Sequence, residues 1–158
     1  MILNNSSKEV IIMSQFLAMF NQMGPEMFSK SVAQVAPYFS TIDPEVIELK
    51  LGYCEIVLKN QKKVHNHIGT VHAIAMCNAA ELAGGMTTDV SIPKGARWIP
   101  QGMTVEYIAK AKTDLNVICD GSDVDFSQPG KIIVPVAAFD TNGTKCFTAD
   151  ITMNVKHS

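Results

Sequence analysis

The chain has 158 residues, enough for one domain with a sizeable core and too few for two ordinary ones. It is 47% hydrophobic and 18% charged with a net charge of −2, which excludes the basic surplus of a nucleic-acid binder. Arg97 is its single arginine, so guanidinium clamps are scarce and an anionic ligand must be met mainly by lysines or backbone N–H groups.

At the N-terminus, Ser6-x-x-Glu9 has capping-box spacing, and Val10, Met13, Phe16, Leu17 and Phe20 follow at helical intervals. This predicts a first helix opening at Ser6. The apolar stretch 10–20 reads as that helix rather than a signal peptide, because Ser14 and Gln15 interrupt it and Glu9 adjoins it. Gly24-Pro25 ends the helix and opens a second one that stops before Pro37. Residues 1–36 are therefore expected to form a helical extension, and 37–158 the core of a single domain. From Glu45 to Lys59 polar and apolar residues alternate, with Gly52 between two short strands.

A polar loop covers 60–69. The stretch from Thr70 to Met86 is alanine-rich, too long for a strand and apolar nearly all round, so it reads as a helix buried on most sides. After the Pro93–Gly95 turn the pattern is β throughout. Met103, Val105, Tyr107, Ala109 and Ala111 alternate with Thr104, Glu106, Ile108, Lys110 and Lys112, and Leu115, Val117 and Cys119 continue on the next strand. Ile132–Phe139 is a continuous apolar run, Asn142-Gly143 suits a tight hairpin, and Phe147 to Val155 alternates as a half-buried strand.

One flat sheet face cannot cover a lone buried helix, so the sheet must curl around it. The expected class is α+β: a hot-dog fold, with a curled antiparallel sheet around one central helix and an N-terminal helical extension. An exposed sheet edge is a liability that pairing between copies removes, so a homodimer or a dimer of dimers is expected. The four cysteines, Cys54, Cys77, Cys119 and Cys146, stand far apart in apolar runs without a Cys-x-x-Cys pair. A reducing, cytoplasmic setting follows, with no disulfide framework or metal site. No apolar run reaches the roughly 20 residues of a membrane span.

The segment His65-Asn66-His67-Ile68-Gly69-Thr70-Val71-His72-Ala73 is a polar loop running into a helix start, with Glu81 a lone carboxylate further along. Burying an ionised Glu without partners is costly, so Glu81 must be paired, neutralised or facing a cleft. A helix N-terminus offers free N–H groups and partial positive charge, suited to a developing oxyanion.

On Asn66, Gly69, His72 and Glu81 the chain resembles the hot-dog thioesterase superfamily, specifically the PaaI-like acyl-CoA thioesterases. Their signature is similar to His-x-Asn-x-x-Gly-x-x-His-Gly-Gly followed by an acid on the central helix, and Thr104 to Tyr107 resembles a strand of theirs. The resemblance covers roughly 46–155; where the family has Gly-Gly, this chain has Ala73-Ile74. It implies an acyl-CoA or related acyl thioester as substrate, no cofactor, and a site at a subunit interface. Glu81 would be general base or nucleophile, Asn66 would position water or carbonyl, and the Ala73 N–H, at a helix start capped by Thr70, would hold the oxyanion. His72 would support the first turn, with Gly69, Thr104, Lys110 and Lys112 towards the substrate. Two rivals differ in chemistry. A hydroxyacyl-thioester dehydratase would need a Phe-Pro-Gly loop that this chain lacks, and a non-catalytic acyl-thioester-binding module would tolerate Ala73-Ile74.

Overall fold

The structure, a computed structural model, describes residues 14–158. Its first helix, α1 (Gln15–Met23), opens at Ser14, whose backbone is extended and whose Oγ accepts the Leu17 N–H at 3.1 Å. The continuous helix expected from Ser6 through Phe20 is thereby corrected: the serine that interrupts the apolar run is a cap and not an interior residue. Ser6 and Glu9 lie outside the described residues. Gly24, at φ 81, turns the chain directly into α2 (Pro25–Val35), with proline in its tolerated first position. Phe28 of α2 is fully buried, with Phe16 and Phe20 meeting its ring edge-on at 6.3 and 5.4 Å between centroids. The Ser29 hydroxyl donates to the Pro25 carbonyl (2.7 Å) and accepts the Val46 N–H (2.9 Å), which ties the helix to the sheet.

A 3-10 turn (Pro37–Ile42) leads into β1 (Glu45–Lys50) and β2 (Tyr53–Leu58). After the loop comes α3 (Ala73–Ser91), then β3 (Arg97–Tyr107), β4 (Leu115–Asp120), β5 (Gly130–Phe139) and β6 (Lys145–Lys156). The strands form one antiparallel sheet in the order β1-β2-β4-β5-β6-β3, and α3 touches every one of them. This is the expected hot-dog arrangement. Ile56, Leu115, Val134, Phe147 and Ile151 bury completely or nearly so around Ala79, Ala80, Leu82 and Ala83, each large side chain contributing about 1.5–3 kcal/mol. Small residues on α3 let the helix sit close to the sheet. At Gly84 a Cβ would stand 2.9 Å from Ile151 Cδ1.

Two boundaries differ from the sequence reading. The helix continues past Met86 to Ser91 because Thr87 and Thr88 return their hydroxyls to the carbonyls of Ala83 (2.9 Å) and Gly84 (2.8 Å), which permits their burial. The third strand begins at Arg97 and ends at Tyr107 rather than reaching Lys112. Beyond it the Ile108 and Ala109 N–H groups both fall on the Cys146 carbonyl (2.8 and 3.2 Å), so 109–112 leave the sheet. No helix among the described residues is long and apolar enough to cross a membrane.

Candidate active site

The loop before α3 is held by its own polar groups. Asn66 Oδ1 accepts the N–H of Ile68 (3.1 Å) and of Thr70 (3.0 Å), and Asn66 Nδ2 donates to the Thr70 hydroxyl (2.8 Å). Gly69 takes the left-handed conformation, φ 78, that the turn requires. Thr70 is thus occupied, and Val71 extends to pair with His65 and donate to the Ala111 carbonyl (2.9 Å). The helix starts only after them. Its cap is His72 and not, as expected, Thr70: His72 Nδ1 accepts the Ile74 N–H at 3.0 Å, its backbone N–H donates to the Val64 carbonyl (2.7 Å), and its carbonyl accepts from Met76 (3.2 Å). With Nδ1 accepting, the neutral ring carries its proton on Nε2. His65, by contrast, joins Asn60 Oδ1 at 2.5 Å.

The first-turn N–H of Ala73 has no acceptor inside the helix. Ala73 lines a groove of about 340 Å³ together with Asn66, Ile68, Met76, Tyr107 and Lys110. Of the residues predicted from the sequence, this groove gathers Asn66, Ala73 and Lys110. Exposed Gly69 shapes the turn beside it. His72 lines a separate groove of about 270 Å³, with Tyr38, Lys63, His65 and Asn78. Lys112 is exposed, and its carbonyl accepts from Asn60 Nδ2 (2.8 Å). Thr104 is exposed opposite Asp150 while its neighbours Met103 and Val105 pack inward, so it belongs to the outer face of the sheet.

Glu81 stands on the one stripe of α3 that the sheet leaves open, with Ile74, Cys77 and Asn78. It is half-buried and has no hydrogen-bond or ion-pair partner among the described residues. One turn before it, Cys77 Sγ lies 3.7 Å from Tyr107 Oη, a contact that holds the phenol above its ordinary pKa. Asn78 Nδ2 donates to Thr41 Oγ1 (3.2 Å), whose own proton goes to the Tyr38 carbonyl (2.8 Å); Asn78 Oδ1 is left without a donor among the described residues. One turn after Glu81, the six-membered ring of Trp98 rests on Gly85, where a Cβ would meet it at 2.8 Å. The Trp98 indole N–H donates to Asp89 Oδ1 at 2.9 Å. Sequence reasoning missed Cys77, Tyr107 and Trp98, although the i, i+4 rule counted from Glu81 selects both Cys77 and Gly85.

At 1.5 Å rise per residue, Ala73 and Glu81 are about 12 Å apart along the helix. One chain therefore does not bring the free N–H and the carboxylate to a single reacting carbon. Cys54 and Cys119 face each other across β2 and β4, and burial pushes both thiols up, Cys119 to about 12; they act as packing groups and not as nucleophiles. A wider groove of about 500 Å³ opens between α2 and β1, remote from Glu81, among exposed groups such as the Lys30–Glu26 pair (3.0 Å).

The family described as a domain of unknown function, DUF4442, matches residues 24–155. Among curated proteins none matches the sequence. The crystal structure of genomics APC5556 is 51% identical, with a TM-score of 0.84, covering 91% of this chain and 97% of that one. The thioesterase HI1161 from Haemophilus influenzae superposes with a TM-score of 0.70 at 10% identity, covering 81% of this chain and 90% of its own. Smu.793 from Streptococcus mutans, bound to acetyl CoA, superposes with a TM-score of 0.63 at 14% identity, over 73% and 90%. Fold is what the two distant likenesses share with this chain.

Proposed function

We propose that this chain, which belongs to the DUF4442 family, hydrolyses an acyl-CoA thioester at a site completed by a second copy of itself. One observation carries the reading: a partnerless carboxylate on the open stripe of the core helix, about two turns along from Ala73 at the helix start, which lines a groove with Asn66 and Lys110. The likeness to a thioesterase and to an acetyl-CoA-bound protein supports the substrate class.

A homodimer joined along β3 meets the separation. This strand is eleven residues long, pairs only with β6, and carries just Arg97 and Glu106 as charges, so its outer edge is a ready template. Two copies related by a two-fold axis run their α3 helices antiparallel, so the partner's Ala73 comes opposite Glu81 while Cys77, midway, faces its own copy. The thioester carbonyl then accepts from the partner's Ala73 N–H. Glu81 removes a proton from water as the water attacks the carbonyl carbon, and returns it to the departing thiolate; alternatively the carboxylate attacks first and water opens the resulting anhydride. The oxyanion donor accounts for about 3–4 kcal/mol of barrier. The second Nδ2–H of Asn66, not used by Thr70, is available to water or carbonyl. His72 keeps the first turn aligned, Gly69 permits the turn, and Lys110 with Lys112 meets the phosphates of the carrier.

The test is a panel of acyl-CoA thioesters on wild type beside Glu81→Gln: wild type turns over and the variant does not. Turnover retained in Glu81→Gln removes the carboxylate from the mechanism. A second reading, a non-catalytic acyl-thioester-binding module, draws on Asn66, both ends of whose carboxamide already serve its own loop. Binding of acyl-CoA without turnover in wild type would establish it.

A further inference from the structure

Within the thioesterase reading, on which this rests, we infer that the Tyr107 hydroxyl is a second donor to the thioester oxygen, beside the Ala73 N–H. An oxygen that gains charge as water attacks is ordinarily met by two preorganised donors. The start of α3 does not offer two neighbouring ones. The Ile74 N–H is already taken by His72 Nδ1 at 3.0 Å, and Ala75 lines the other groove, with His72 and Asn78. The second donor must then come from a side chain. Only Asn66 and Tyr107 combine a place in the groove of Ala73 with an uncharged donor not committed to the loop: Thr70 is held by Asn66, and Lys110 is a cation.

Tyr107 is the last residue of β3 and is 54% exposed, so a ligand can reach it. Its ring is nevertheless fixed. It stacks on that of fully buried Phe147, its pairing partner on β6, at 6.1 Å between centroids and 29° between planes. The hydroxyl end touches α3, 3.7 Å from Cys77 Sγ. Cys77 follows Ala73 by about 6 Å along the axis, and helix side chains lean towards the N-terminus, so this sulfur lies over the turn that Ala73 opens. The phenol oxygen is carried there with it. Cys77 does not use the hydroxyl up. If the thiol donates, the O–H is free; if the phenol donates, sulfur is a weak acceptor that a carbonyl oxygen displaces. The same contact raises the phenol pKa above its ordinary value, which keeps the group a neutral donor. With Ala73 and Tyr107 on the thioester oxygen, the free Nδ2–H of Asn66 is left to the water.

The experiment uses Tyr107→Phe, which keeps the ring on Phe147 and removes only the hydroxyl. Its steady-state kinetics on butyryl-CoA are compared with those of wild type. In parallel, the infrared stretch of butyryl-CoA labelled at the thioester carbonyl is recorded on Glu81→Gln, with and without Tyr107→Phe. Tyr107→Phe lowers kcat by about 10²–10³-fold, the loss that removal of one oxyanion donor brings, while KM stays near the wild-type value. On Glu81→Gln the bound carbonyl stretches at lower frequency than in solution, and adding Tyr107→Phe returns part of that shift. A wild-type kcat in Tyr107→Phe, with turnover still dependent on Glu81, overturns the donor and leaves the hydrolase standing. A carbonyl shift that depends on Tyr107, in a protein whose wild type hydrolyses nothing, keeps the donor and discards the hydrolase. Should Tyr107→Phe fail to fold, an unshifted carbonyl on Glu81→Gln overturns the inference by itself.

Discussion

On the side of α3 turned towards the sheet, polar groups are answered from within: Thr87 and Thr88 donate to carbonyls one turn back, and the rest is alanine, glycine, leucine, methionine and valine in tight contact. On the open side, Glu81 has no partner among the described residues, Asn78 has an acceptor without a donor, and Ile74 is 57% exposed. The same nineteen-residue helix therefore holds a face finished by its own chain and a face left unfinished. A buried polar group without a partner costs about 1–3 kcal/mol, so natural chains keep such groups where something else completes them. Under the proposed function, the difference assigns chemistry to one stripe of the helix and stability to the other.

Substitutions on the two faces should separate accordingly. Glu81→Gln, the change with the greatest expected effect, should lower acyl-CoA turnover by about 10²–10⁴-fold, the share of a general base, while the thermal midpoint stays where it was, because the carboxylate has no hydrogen bond or ion pair to lose among the described residues. A large fall in melting temperature would mean that Glu81 is structural after all. Leu82→Ala, on the adjoining buried face, should do the reverse. The side chain is 1% exposed, and its removal should cost about 2–5 kcal/mol in urea unfolding with the residual folded enzyme active per molecule. Gly84→Ala comes next. Its methyl would press on Ile151 at 2.9 Å, and overpacking of this kind costs about 1–3 kcal/mol by the same measurement.

The smallest effect on the protein sharpens the comparison most. Cys77 is the half-buried thiol of the open stripe, whereas Cys54, Cys119 and Cys146 are buried and burial holds all three thiols above their ordinary pKa. At pH 8 a chromogenic disulfide reagent should therefore titrate one thiol rapidly in the native protein, and Cys77→Ser should abolish that fast phase. A short bismaleimide should join two chains through Cys77 and fail with Cys77→Ser. Linkage unaffected by that substitution would contradict the antiparallel register proposed for the two helices.

Some of this organisation is legible residue by residue. Alternation with period two from Phe147 to Val155 and the all-round apolarity of 70–86 express burial on one face or on every face, and burial is a local property of the side chains. The isolation of Glu81 on that apolar segment is legible for the same reason. Element ends were less so. Thr70 and His72 are equally able to cap, and the choice falls to His72 because Asn66 already holds Thr70 and Val71 is drawn to Ala111, a contact across forty positions of chain. Trp98 gives no signal in its own neighbourhood, since its meaning comes from Gly85 and Asp89 on another element.

The amino-acid sequence by itself determined the helix-and-strand order, the curled sheet around one helix and the presence of a lone acid upon it, because hydrophobic periodicity records which side of each element meets the core. Only the tertiary structure decided which stripe of α3 stays open, which groove holds Asn66, Ala73 and Lys110, and that Glu81 is not among the residues lining that groove. Those are relations between surfaces distant along the chain. They arise from how six strands close around one cylinder and leave part of it bare, which no local pattern encodes.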